Sequence, residues 1–120
     1  MEERIGLIDI GSNTIRLVIF KFSKTAGLNE ILNIKTPARL SQYLTSKKEM
    51  SKDGIKVLIE ALKSFKKVAQ EFNVTELHPI ATAAIRQSKN KNAIIKQVKK
   101  ELNIDMKIIP ELDEAYYGFY

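Results

Sequence analysis

An acid, a glycine and three small hydrogen-bonding residues follow one another in Asp9-Ile10-Gly11-Ser12-Asn13-Thr14, at the end of an isoleucine-rich run. A carboxylate at the end of an apolar strand is expensive to bury unless a cation or hydrogen-bond donors face it. Asp9 therefore suits a divalent cation such as Mg²⁺, held directly or through water. Gly11 lets the backbone turn tightly and lets a ligand approach the main chain. Ser12, Asn13 and Thr14 add hydroxyl and amide donors beside backbone N–H groups, which together can cradle phosphate oxygens. The same residues also make an ordinary hairpin turn, since Gly, Ser and Asn are favoured turn formers. Turn chemistry alone favours the plain turn, and the acid just inside it narrows that preference without reversing it.

Two further groups fit phosphate chemistry. Arg86 closes the segment Ala81-Thr82-Ala83-Ala84-Ile85-Arg86, and its planar fork matches phosphate oxygens. Taken alone, it reads as a surface arginine paired with a neighbouring acid. Glu114 falls in the first turn of an expected last helix, where the helix dipole favours a carboxylate. It would act as a general base only if it were close to an attacking water, and by itself it reads as a plain N-terminal helix acid. Arg39 lies in a loop, where substrate contact and a solvated surface position are balanced readings. The single histidine, His78, precedes Pro79 in an apolar run and reads as a core or strand residue; one histidine excludes any site built on two imidazoles. There is no cysteine, so disulfide frameworks and thiolate zinc sites are excluded.

The elements that must position these groups follow from periodicity. Residues 4–10 and 14–22 are apolar, β-rich runs around a Gly-Ser-Asn break and read as a hairpin. A third strand is expected over 28–35, stopped by Pro37, and 36–50 reads as a polar loop. Residues 51–72 form the clearest helix, with Ser51 as N-cap and Asp53 in its first turn. Ile55, Leu58, Leu62, Phe65, Ala69 and Phe72 recur on one face at helical spacing. Asn73 is its expected stop. A strand over 77–81, a short helical turn over 82–86, a helix over 90–102 and a strand over 106–109 complete a mixed sheet covered by helices. A last helix is expected over 111–120. Its aromatic residues Tyr116, Tyr117, Phe119 and Tyr120 read as packing for a domain junction and as a route to self-association.

The 120 residues suffice for one domain with its own core. Lys and Arg total 20 against 14 acids, a formal charge of +6, which favours polyanionic partners. The pairs Lys47-Lys48, Lys66-Lys67 and Lys99-Lys100 read chiefly as solvated faces. The lysines are spread over several elements without interleaved aromatics, which argues against a nucleic-acid-binding module. No apolar run is long enough for a membrane span, and the acidic residues Glu2 and Glu3 do not suit a secretory leader. A cytoplasmic location is the default expectation.

With these residues in hand, the chain resembles the exopolyphosphatase / guanosine pentaphosphate phosphohydrolase family, within the actin-like ATPase superfamily. The segment from Ile8 to Thr14 is similar to that family's first phosphate motif. Arg39-Leu40, Ser51-Lys52-Asp53-Gly54-Ile55, Ala81-Thr82-Ala83-Ala84-Ile85-Arg86 and Asp113-Glu114-Ala115 resemble further family segments in the same order. The resemblance implies an α/β, actin-like (ribonuclease-H-like) domain with a mixed five-stranded sheet. Residues 1–120 would be the first of two such domains, a fragment without the second domain and its second phosphate motif. It also assigns Asp9 to Mg²⁺, and Gly11, Ser12, Asn13, Thr14, Arg39 and Arg86 to phosphate or substrate. Glu114 would be the catalytic base. The implied activity is Mg²⁺-dependent hydrolysis of the terminal phosphoanhydride bonds of inorganic polyphosphate. Guanosine pentaphosphate hydrolysis and non-catalytic phosphate binding are the alternatives. The missing domain and a second copy in a homodimer are expected partners, and the isolated piece is expected to be inactive. Three departures stand out: Pro110-Glu111 where the family usually has Ser-Gly, Asp113 for its first Glu, and Tyr43 for the Gly of its substrate-side loop.

Overall fold

Strict alternation sets the centre of the sheet. In strand β1 (Glu3–Ile10), Gly6, Ile8 and Ile10 are buried on one face, while Ile5, Leu7 and Asp9 are half-buried on the other. The chain then reverses through four residues into β2 (Ile15–Ser23), which pairs antiparallel with β1, Ile10 opposite Ile15 and Asp9 opposite Arg16. Strand β3 (Gly27–Thr36) continues the meander along β2, with a bulge that leaves Ile31 unpaired between Glu30 and Leu32. The computed structural model describes residues 3–109. The expected last helix over 111–120, with its aromatic cluster, lies outside the described residues.

After β3 come a short 3-10 helix (Leu40–Tyr43), helix α1 (Lys52–Glu71), strand β4 (Glu76–Ala81), the short helix α2 (Ala83–Arg86), helix α3 (Lys91–Leu102) and strand β5 (Lys107–Ile108). The sheet order is β3-β2-β1-β4-β5, with β4 parallel to β1 and β5 parallel to β4. The expected mixed five-stranded sheet is thus formed. Helices α1 and α3 place Leu58, Leu62, Phe65, Ile94 and Val98 in one cluster with Ile8, Ile10, Ile15, Leu17 and Ile19 of the sheet. Burying such side chains supplies about 1.5–3 kcal/mol each before entropy is counted.

The ends of α1 follow local chemistry. Ser51 Oγ accepts a hydrogen bond from Gly54 N–H at 3.2 Å, the N-cap bond expected of it, and Asp53 sits in the first turn. Asn73 takes a left-handed conformation, φ 57°, which an asparagine tolerates better than most residues. No helix among the described residues is long and apolar enough to cross a membrane.

Three details differ from the sequence reading. Residues 36–50 are more than a loop, because Leu40 is fully buried and anchors the 3-10 helix, and Leu44 and Met50 form an antiparallel bridge. One turn and one bridge are too short to leave a period in sequence. His78 is a strand residue but not a core one: it lies on the face of the sheet away from α1 and is half-exposed, 3.4 Å from Glu76 Oε2. Lys66 is not simply solvated, for its Nζ donates to the Leu102 carbonyl and so ties α1 to the C-terminal end of α3.

Tyr43 and Met50 pack on α1 at Gly54. A Cβ there would fall inside contact distance of Tyr43 Cβ and 2.9 Å from Met50 Cγ. Helix propensity alone predicts that Gly54→Ala stabilises α1 by up to about 1 kcal/mol. The packing predicts the opposite sign. Gly54→Ala is expected to destabilise the protein by about 1–3 kcal/mol, in the overpacking range, with a melting temperature several degrees lower by calorimetry; an unchanged or raised value would refute this packing.

Candidate phosphate site

The turn between β1 and β2 is closed by its own backbone. Gly11 N–H donates to the Thr14 carbonyl at 3.0 Å, and a Cβ at Gly11 would lie 3.0 Å from that same oxygen. Glycine is therefore the residue that leaves the narrow turn unstrained. Its N–H is consumed by the turn, so Gly11 offers a ligand its missing side chain rather than a donor. Among the described residues, no carbonyl accepts from the N–H groups of Ser12, Asn13 and Thr14. These three amides, with the side chains of the same residues, form a compact donor set.

A second segment braces the turn from outside. Arg39 N–H donates to the Asn13 carbonyl at 2.8 Å, and Ser41 N–H to the Ser12 carbonyl at 3.0 Å. Ser41 Oγ also lies 3.5 Å from Asn13 Oδ1. With the Ser12 and Asn13 carbonyls held from one side, the N–H groups of Asn13 and Thr14 that share their peptide planes are fixed in orientation as well. Arg39 adopts φ 50°, ψ 49°, a left-handed conformation uncommon for a side-chain-bearing residue. Its exposed guanidinium has no partner among the described residues.

The third segment comes from β4. Ile10 and Ala81 are register partners at the carboxyl ends of parallel strands, the side of a sheet where ligands of α/β proteins bind. Thr82, just beyond, is 2% exposed and donates to the Ile10 carbonyl twice, through N–H at 3.1 Å and Oγ1 at 3.0 Å. Arg86 ends α2, four residues on, half-buried, with Nη1 donating to the Ile109 carbonyl at 3.1 Å. The structure thus brings Asp9, Gly11, Ser12, Asn13, Thr14, Arg39 and Arg86 to one end of the sheet. Glu114 lies outside the described residues.

Such an arrangement can offer an anion oriented amides, with two arginines on the segments bonded to the end of β1 and to the turn that follows it. A model of the Ppx/GppA phosphatase family matches residues 18–120. The chain belongs to the Ppx/GppA phosphatase family. It is 28% identical over 116 residues to exopolyphosphatase 1 of Mycobacterium tuberculosis, covering 97% of this chain and 34% of that protein. Its structure is similar to that of the Aquifex aeolicus Ppx/GppA family member, with TM-score 0.89 and 32% identity over 98% of this chain and 38% of that one. An exopolyphosphatase from Cytophaga hutchinsonii matches with TM-score 0.89 and 30% identity, over 95% of this chain and 36% of that one. The fold is the actin-like ATPase fold, and the chain spans about a third of the length of such relatives.

The Ppx/GppA chain offers a donor set that fits Mg²⁺ in a particular way. Asp9 Oδ1 is shielded from solvent at the end of β1, and no group of three or more His, Cys, Asp or Glu gathers among the described residues. An all-protein cage is therefore not formed by these residues. Mg²⁺ ordinarily uses one or two carboxylates and takes its remaining ligands from water and substrate phosphates, a pattern that the single Asp9 carboxylate beside the 11–14 turn fits.

Thr82 and Ser41 are site residues that sequence reasoning did not single out. Thr82 stood inside a quoted segment, yet its role depends on the β1–β4 register. Ser41 carried no signal of its own. Tyr43, which stands where the family usually has Gly, packs against Gly54 at the start of α1. Removing the Thr82 hydroxyl tests the link between the two phosphate segments. Thr82→Val keeps the shape and leaves the N–H bond to Ile10; it is expected to destabilise by about 0.5–1.5 kcal/mol, the usual value of one hydrogen bond. Thr82→Ser should restore most of the loss in urea denaturation, and equal stability of all three proteins would refute the link.

Proposed function

We propose that this chain is the first actin-like domain of a two-domain enzyme that hydrolyses terminal phosphoanhydride bonds of inorganic polyphosphate. The observation that carries the reading is the 11–14 turn, whose Asn13 and Thr14 amides are oriented by bonds from Arg39 and Ser41, at the end of the sheet that also carries Asp9 and Arg86. Membership of the Ppx/GppA phosphatase family supports a phosphatase, and relatives named as exopolyphosphatases favour polyphosphate over guanosine pentaphosphate.

In this mechanism the end of the phosphate chain rests on the amides and hydroxyls of Ser12, Asn13 and Thr14. Arg86 holds a phosphate oxygen from the β4 side, and Arg39 approaches from the opposite side. Asp9 would hold Mg²⁺, which supplies positive charge against the phosphates. Glu114 is proposed to orient the attacking water and take its proton, the role the family resemblance assigns to it. Phosphoryl transfer asks a protein mainly for positioning and charge compensation, which the oriented amides and the two arginines would provide. The second domain is proposed to close the other wall of the cleft.

Activity assays on the full-length protein test the assignment. Glu114→Gln keeps size and polarity but removes the base, so turnover on polyphosphate should fall by roughly 10²–10⁴-fold, with affinity little changed. Arg86→Ala should weaken both binding and turnover, because it removes a phosphate contact. Asp9→Asn should move the Mg²⁺ requirement to higher concentration. Turnover of Glu114→Gln within a few-fold of wild type would overturn the base assignment, leaving Asp113 or Glu111 to be tested next. The 120-residue chain alone is expected to release no appreciable phosphate, and robust metal-dependent release from it would contradict the two-domain reading.

A further inference from the structure

Three lysines lie where two distant segments dock, one continuing from the brace of the 11–14 turn and one following Arg86, and the mechanism above uses none of them. The segment that braces the 11–14 turn continues into a tight turn closed by Thr45 N–H to Glu49 O and Lys48 N–H to Thr45 O, both 2.8 Å. This turn docks on the loop that follows Arg86. Lys89 N–H donates to the Lys48 carbonyl at 2.8 Å. The Asn90 side chain accepts from Met50 N–H at 3.0 Å and donates to the Met50 carbonyl at 3.1 Å, pairing both main-chain groups of one residue. The docking holds the backbones of Lys48 and Lys89 in contact, with Lys47 adjacent. All three side chains are exposed, and none has an ion pair or hydrogen bond among the described residues. Glu49, also exposed, is the one acid within the turn itself.

Two contrasts set this cluster apart from the other lysine pairs. Lys66 is committed to the Leu102 carbonyl, and Lys99 to Asp105 Oδ2 at 3.1 Å. Lys48, by contrast, sits at φ 61°, where a glycine would be accommodated without the strain that a Cβ brings, about 1 kcal/mol. A charged residue kept at a position better suited to glycine points to use of the charge.

We infer that Lys47, Lys48 and Lys89 form a second phosphate-binding cluster, which takes internal phosphates of a polyphosphate chain whose end occupies the 11–14 turn. The inference rests on the polyphosphate reading for its ligand, and it assigns the cluster to chain length rather than to chemistry. The connection is physical. The Lys47–Lys48 turn is reached six residues after Ser41, which holds the Ser12 carbonyl, and Lys89 follows Arg86 by three residues. A ligand touching both places must carry phosphates in series, so a short phosphate would gain nothing from the cluster.

Equilibrium binding to the full-length protein tests this independently of turnover. Long-chain polyphosphate and tripolyphosphate would be titrated by calorimetry against wild type and the triple variant Lys47→Gln, Lys48→Gly, Lys89→Gln. A control variant, Lys63→Gln, Lys67→Gln, Lys100→Gln, loses the same charge from the outer surfaces of α1 and α3. Exposed ion pairs contribute about 0.2–1 kcal/mol each, so loss of three should raise the Kd for long chains by between about three-fold and about 150-fold in the cluster variant and by less than two-fold in the control. Tripolyphosphate binding should be unchanged in all three proteins. Lys48→Gly alone should keep or raise the melting temperature, which separates lost binding from lost folding. Equal long-chain affinity in wild type and cluster variant overturns the inference, as does an equal loss in the control, which would signify net charge alone. Wild type that binds long chains no better than tripolyphosphate overturns it as well. A separate phosphate-release assay on wild type decides the hydrolase reading: binding that depends on chain length without release would refute that reading and leave the cluster standing.

Discussion

The Ile10 carbonyl accepts both the N–H and the hydroxyl of Thr82, and most of the site's geometry depends on that pair of bonds. Ile10 stands between Asp9 and Gly11, and Thr82 opens the segment that ends in Arg86. Two stretches seventy residues apart in the chain are thereby locked at one point, at the ends of adjacent parallel strands. Because Thr82 is almost fully buried, neither bond competes with bulk water, and a carbonyl left unmade there would carry its whole desolvation penalty. The placement of the turn relative to the segment that carries the α2 arginine is therefore a consequence of strand register, which the core beneath enforces.

That core supplies the rigidity. Ile8 and Ile10 of β1, Ile15, Leu17 and Ile19 of β2, and the apolar stripes of α1 and α3 share one cluster. A one-residue slip of β1 would turn its buried isoleucines outward and place Asp9 among the helices, so hydrophobic pattern and site register are selected together. The close approach of Tyr43 and Met50 to Gly54 extends the same logic to the substrate-side segment. Where the 3-10 helix begins, the fully buried Leu40 is flanked by Arg39 and Ser41, whose amides hold the turn. Packing on one side of this segment fixes hydrogen bonding on the other.

Positive charge is distributed unevenly in function though widely in sequence. Some lysines serve structure, as Lys66 does by capping α3. Others remain uncommitted around the phosphate end of the sheet. A net charge of +6 would attract any polyanion over a Debye length of about 8–10 Å, but attraction by itself carries no selectivity. In the function proposed, the turn amides, two arginines and the lysine cluster at one end of the fold would supply that selectivity for phosphates in series.

The sequence by itself determined strands β1 to β4, helices α1 and α3 and the place of the turn between β1 and β2, because these are encoded by short-range signals: alternation in β1 and β2, a 3.6-residue stripe in α1, Ser51 as N-cap, and the Asp9 to Thr14 run with its companion segments in order. Through those segments it also pointed to Arg86 and Arg39, which the fold brings to the same end of the sheet as that turn. Tertiary structure alone decided that Gly11 spends its N–H within the turn, that Ser41 and Thr82 hold the site together, that Tyr43 packs on Gly54, and that His78 faces away from the core. Each of these depends on a partner many residues distant, chosen by strand register and by the side of the sheet that the helices cover. A local pattern cannot carry that information, because the same residues would look alike in sequence whichever neighbour the fold brought to them.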